Sequence, residues 1–175
     1  MPDNSTTRFA LASGAPAGTR ADVLVLFAEE APRPNGAVAE VNQALAGQLV
    51  RAATEEGFRG KADQTFVLHT HGRLPAARVV LVGTGPRERT DAETLRQAAG
   101  RGVKAAQRLR ARSVAMAVPG NPTESLGPVA AGASLGLYRF AFSFDEYTKK
   151  DCFFSPLLVH EAGKDAGSRR RRDGD

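Results

Sequence analysis

A chain of 175 residues with 42% hydrophobic and 25% charged side chains has enough apolar material for one full core, and that balance excludes wholesale disorder. The formal charge of +5, from 24 basic and 19 acidic residues, is too mild an excess to argue by itself for a nucleic-acid partner. One cysteine, Cys152, excludes an internal disulfide, and the lack of Trp leaves Ala, Val and Leu to fill the core.

The opening stretch, MPDNSTTRFALASGAPAG, has no basic region followed by an apolar one, so no secretory leader is expected. Asp3 to Thr7 reads as an unstructured start, and Arg8 to Ala12 as a short first strand. Val23 to Phe27 is a continuous apolar run, the pattern of a strand buried on both faces. Ala31 to Gly36 breaks it with two prolines and an Asn-Gly pair. One helix is predicted from about Val38 to Glu56. Val38, Val41, Leu45, Leu49 and Ala53 share its apolar face, and Gly57 stops it.

Thr65 to His69 and Arg78 to Val82 read as strands joined by a hairpin-like link through His71 to Pro75. Gly83-Thr84-Gly85 then reads as a turn. Thr90 and Glu93 have the spacing of a capping box, which starts a helix with Leu95, Ala98, Ala99, Val103, Ala106 and Leu109 on its apolar face. Ser113 to Val118 is a further strand, Pro119 to Pro122 a turn, and Ser125 to Tyr138 a helix of small residues. That helix holds the longest uncharged run, short of the ~20 residues a membrane span needs. A soluble cytoplasmic protein is expected. Phe153 to His160 reads as a last strand, placed at a sheet edge or bulge by Pro156. Strands alternating with helices predict an α/β layer fold.

Candidate chemistry is sparse. Gly83, Thr84 and Gly85 follow a strand and precede a helix, so their amides are the candidate ligand-binding groups for a phosphate. The third glycine of a dinucleotide fingerprint is missing, and Pro86-Arg87-Glu88-Arg89 stands in its place. Glu88, Asp91 and Glu93 oppose an anion there and Arg87 and Arg89 partly offset them, so no dinucleotide affinity tighter than about millimolar, ~4 kcal/mol, is expected. His69 and His71 alternate at strand spacing but lack the further ligands a metal needs. Cys152 has no nearby cation to stabilise a thiolate except Lys149 and Lys150, and no nucleophile is assigned. Two basic stretches stand out, the helix end with Lys104, Arg108, Arg110 and Arg112, and the run Arg169 to Arg172. No catalytic residue and no metal ligand is assigned.

Several phrases together carry a family resemblance. They are Val23 to Phe27, Phe58 to Lys61, Gly72-Arg73-Leu74, Val79 to Gly85, Asp91 to Leu109, Ser113 to Val118, Leu135 to Phe140, and Tyr147 to Lys150. Their order and spacing resemble the N-terminal domain of the leucine aminopeptidase (cytosol aminopeptidase) family across about residues 20 to 160. Ala141 to Phe144 is a departure, an apparent insertion before the Tyr147 segment.

The resemblance implies a macro-domain-like mixed sheet flanked by helices. It divides the chain into an N-terminal segment 1–19, the domain 20–160 and a basic tail or truncated linker 161–175. It implies a homohexameric family that releases N-terminal amino acids with two divalent metals, zinc or manganese, held by a separate catalytic domain. The metal ligands and the Asn-Thr-Asp-Ala-Glu-Gly-Arg signature of that domain have no counterpart here. Thr90-Asp91-Ala92-Glu93 shares letters with the signature but reads as a helix cap. The expected role is therefore a non-catalytic domain serving assembly or regulation, partnered by the catalytic domain or by copies of itself. A stand-alone macro-like binder of nucleotides or ADP-ribose and a DNA-binding module are the alternatives.

Overall fold

The computed structural model describes residues 9–30, 34, 36–137 and 157–161. The predicted strand at Arg8 to Ala12 forms one residue later, as β1 (Phe9–Ser13). The apolar run forms β2 (Val23–Glu29), buried along all but its last residue. Period-2 alternation divides β2 between two cores. Val23, Val25 and Phe27 face one side of the sheet, and Leu24, Leu26 and Ala28 the other.

The helix predicted as one piece is two, α1 (Gly36–Ala44) and α2 (Gln48–Glu55). The chain turns between them through Ala46 at φ 52° and Gly47 at φ 82°. The Asn42 side chain secures the break by accepting from the Val50 amide at 2.9 Å. The apolar face survives it, since Val38, Val41, Leu45, Leu49 and Ala53 are all buried. Gly57 ends α2 in the left-handed region, as its position predicts.

β3 (Thr65–His69) and β4 (Arg78–Gly85) pair antiparallel, with Thr65 opposite Val82 and His69 opposite Arg78. β4 runs beyond the predicted Val82, so Gly83, Thr84 and Gly85 are strand residues rather than a turn. Close packing explains the difference. The Gly83 amide donates to the Gln64 carbonyl and the Gly85 amide to the Gly60 carbonyl, both at 2.9 Å. A Cβ on Gly83 would overlap the Lys61 carbonyl.

α3 (Ala92–Arg108), β5 (Val114–Val118), α4 (Pro122–Leu137) and β6 (Leu157–Glu161) complete the chain order. α4 begins three residues before the predicted Ser125. Pro122 needs no intrahelical donor at a first position, and Asn121 accepts from the Thr123 amide with its side chain and from Glu124 and Ser125 with its carbonyl. The six strands lie in the order β1-β6-β5-β2-β4-β3, parallel except for β3. The last strand is therefore internal, flanked by β1 and β5, which overturns the edge alternative, while Pro156 and the bulge alternative lie outside the described residues. The rest of the predicted strand, the inserted Ala141 to Phe144 and the tail lie outside the described residues.

α1 and α2 cover one face of the sheet and α3 and α4 the other. Backbone contact fixes the second pair. A Cβ on Gly132 of α4 would overlap the Arg96 carbonyl of α3, whereas one on Gly127 would meet nothing within 4 Å. Gly132→Ala is accordingly expected to cost about 1–3 kcal/mol. Gly127→Ala should add about 0.5–1 kcal/mol by removing a helix-interior glycine. Urea unfolding of the two variants checks the opposite signs.

Candidate cleft at the carboxyl ends of the strands

β2 and β5 are neighbours whose chains leave in opposite directions, β2 to α1 on one face and β5 to α4 on the other. Loops that diverge in this way leave a crevice beyond the strand ends, the usual ligand position in open α/β sheets. A cleft of about 310 Å³ lies there. Phe27 and Glu29 of β2, Thr84 of β4 and Ala117 and Val118 at the end of β5 line it, with the Pro119-Gly120 loop alongside. Gly36 and Ala37 bring the start of α1 to its edge, and Arg87, Thr90 and Leu95 close the side toward α3.

The polar groups of this cleft are largely engaged within the protein. The Thr84 hydroxyl donates to the Ala28 carbonyl at 3.3 Å, and the Thr90 hydroxyl to the Pro86 carbonyl at 3.2 Å. Arg87 is the cation of the lining and is exposed in a 3₁₀ turn, Arg87–Arg89. Arg87 and the Glu29 carboxylate are the charged side chains of a lining that is otherwise largely apolar. Of the three residues predicted to contact a ligand, the structure brings Thr84 to the cleft and buries Gly83 and Gly85 beside it, with their amides already donating to loop carbonyls. Sequence reasoning missed Arg87 as a lining residue and the approach of Gly36 and Ala37. The Pro-Asn-Gly break before α1 was the one signal that pointed there.

The helix start beside the cleft also differs from its prediction. Thr90 and Glu93 do not form a capping box. Asp91 is the cap, its side chain accepting from the Thr94 amide at 2.8 Å and from the Thr94 hydroxyl at 2.8 Å. Glu93 instead binds Arg96 through two bonds of 2.8 and 2.7 Å and accepts from Gln97 at 2.8 Å. An Asp one residue on competes for the cap with a carboxylate, which also favours the positive end of the helix dipole. The bonds from the Thr94 amide, and next its hydroxyl, hold the Asp91 carboxyl below its ordinary value.

The remaining candidates stay apart. His69 and His71 are exposed with ring centroids 6.0 Å apart, and no group of three or more His, Cys, Asp or Glu placed to hold a metal occurs among the described residues. Lys104, Arg108, Arg110 and Arg112 are exposed near the end of α3, whose last turn also receives the Arg78 guanidinium on the Leu109 carbonyl at 2.7 Å. Cys152 and Arg169 to Arg172 lie outside the described residues. No helix among the described residues is long and apolar enough to cross a membrane.

Residues 23–144 match the family model described as the cytosol aminopeptidase family, N-terminal domain. The chain belongs to the cytosol aminopeptidase family. A probable cytosol aminopeptidase from Geobacter sulfurreducens is 35% identical over 86% of this chain and 31% of its own length. The chain thus spans about a third of such relatives. A tomato leucine aminopeptidase mutant superposes with a TM-score of 0.73 at 24% identity, over 91% of this chain and 33% of that one. A Trypanosoma brucei macrodomain in complex with ADP-ribose superposes with a TM-score of 0.61 at 16% identity, over 87% of this chain and 63% of that one. The predicted macro-domain-like α/β fold is therefore the observed one.

The Asp91 cap gives a pH signature. Its carboxyl is held lower in the folded chain than in the unfolded chain, so its contribution is present above the unfolded value and disappears as pH falls through the folded one. Asp91→Ala should lower the melting temperature at neutral pH, and the gap to the parent should close in acid. Thermal melts of both proteins from neutral pH into strong acid check this.

Proposed function

We propose that this chain serves as the non-catalytic N-terminal domain of a leucyl aminopeptidase, acting in assembly or regulation. The observation that carries the reading is the match of residues 23–144 to that family's N-terminal domain. The relatives' additional length supports it, because it leaves room for a separate catalytic domain. On this reading, that domain releases N-terminal amino acids with two divalent metals, zinc or manganese, in the cytoplasm. The partners of the present domain are then the catalytic domain or further copies in a homo-oligomer. The described residues do not fit a metal, since they hold no cluster of ligands, and no step of the chemistry is assigned to them.

The purified 175-residue chain is expected to show no metal-dependent hydrolysis of a leucyl chromogenic substrate with manganese or zinc added. Turnover that chelator abolishes and metal restores would overturn the reading.

The cleft supports a second reading, a macro-like binding site for a nucleotide or ADP-ribose-like ligand. Its position at the diverging ends of β2 and β5 favours a ligand, and Thr84 and Arg87 would be the contacts. Against it, the Gly83 and Gly85 amides already donate to carbonyls of the protein. The domain reading expects calorimetric titration with ADP-ribose to give a dissociation constant of about millimolar or weaker. A micromolar constant that Arg87→Glu weakens at least tenfold would favour the second reading.

A further inference from the structure

Away from the cleft, a second concavity of about 310 Å³ opens over the crossing of α3 and α4. Its floor is backbone. Gly100 of α3 meets Gly132 and Gly136 of α4, and a Cβ on Gly136 would stand 2.9 Å from the Gly100 carbonyl. One wall carries Arg96, Arg101 and Lys104, and the other carries Leu135, which is 57% exposed. Among the described residues no carboxylate lines the groove.

The cations are not equivalent. Glu93 neutralises Arg96 through two hydrogen bonds. Arg101 donates one Nη to the Gly83 carbonyl at 3.0 Å, while its Nε is buried with no hydrogen-bond partner among the described residues. Desolvation pulls its guanidinium below its ordinary value, and the Asp63 charge partly opposes that. An anion in the groove would relieve the same desolvation. Lys104 is exposed beside it.

We propose that the α3–α4 groove docks an acidic segment of a partner protein, with an aliphatic side chain laid on Leu135 and the glycine floor and carboxylates facing Arg101 and Lys104. Charge complementarity decides the occupant. The charged side chains of the lining are cations, of which Glu93 pairs Arg96 and Asp63 acts on Arg101 from outside the lining, and its apolar part is an exposed leucine over bare backbone. A nucleic acid fits less well. Duplex binding typically draws on six to ten phosphate contacts along a track of about 1.7 Å per charge. Here Arg101, on which Asp63 acts, and Lys104 form no ion pair among the described residues, in a groove that also presents an apolar side chain no phosphate backbone would cover.

Fluorescence anisotropy tests the groove, with the full 175-residue chain and a fluorescein-labelled peptide of sequence Glu-Glu-Leu-Glu-Glu at low ionic strength. A dissociation constant on the order of 100 µM is expected. It should weaken about tenfold on raising the salt to a Debye length of about 3 Å. Lys104→Glu should weaken it tenfold or more. Leu135→Ala should weaken it while leaving the salt dependence unchanged. Both positions are exposed, and unchanged melting temperatures establish that the variants fold. Absence of peptide binding, or variants that both bind the peptide as tightly as the parent, would overturn the proposal. Tighter binding of a short DNA duplex that Lys104→Glu also abolishes would overturn it in favour of nucleic acid.

Discussion

Burial of β2 on both faces is the constraint from which the rest of the architecture follows. Val23 to Leu26 are fully inaccessible, and each such side chain contributes ~1.5–3 kcal/mol relative to exposure. A strand so buried has no water for its amides and carbonyls, so it needs a hydrogen-bonded neighbour on each side. β4 and β5 supply them in parallel register. Parallel neighbours require crossovers, and two apolar faces require helices on both sides. The chain must then leave β2 toward one face and β5 toward the other. The cleft is the geometric remainder of that divergence.

Glycine sets how closely the layers approach. α3 lies so near β2 that a Cβ on Gly102 would stand 2.7 Å from Cγ1 of Val25. The same helix touches α4 through Gly100, Gly132 and Gly136. It is thus wedged against the sheet below and its neighbour beside it. Contact on two sides sets where α3 lies, and with it the Cα positions of Arg96, Arg101 and Lys104 along the groove. At the top of the sheet Gly60 plays the corresponding part, since a Cβ there would overlap the Glu29 carbonyl. Loop 57–64 is pressed onto the ends of β2 and β4 as a result.

What could be read from the sequence was whatever depends on side-chain periodicity. The buried run of β2, the hairpin of β3 and β4 and the apolar faces of α1 to α3 are patterns of one residue type recurring at a fixed interval. What could not be read depends on where backbones meet. Gly47 breaks a helix whose apolar face continues unbroken past it, so the pattern gave no warning. Gly83 looked like a turn because glycine usually marks one, yet it stays in the strand because loop 57–64 leaves no room for a Cβ. Asp91 displaced Thr90 as the cap because the two candidates stand side by side and the choice rests on a one-residue difference in where the helix begins. The cleft was legible as a consequence of fold class, but its lining was not, because Arg87, Thr84 and Gly36 come from separate elements that no local motif connects.

The same reasoning separates what is shared with macrodomains from what is particular to this chain. A TM-score of 0.61 at 16% identity is a likeness of backbone, and the divergence of chains around a buried parallel strand is itself a backbone property. Ligand chemistry depends on which donors remain free once the backbone is satisfied. Here the Gly60 and Gln64 carbonyls take the Gly85 and Gly83 amides, and the Thr84 and Thr90 hydroxyls turn to the Ala28 and Pro86 carbonyls. A phosphate arriving at the end of β4 would have to displace bonds of 2.9 Å before making its own. The groove over α3 and α4 stands in the opposite condition. Its floor is closed by helix–helix contact, but a buried guanidinium nitrogen there has no partner among the described residues and a leucine faces water. For a domain proposed to act in assembly or regulation, unmet bonding capacity of that kind marks a surface for a partner more than a satisfied cleft does.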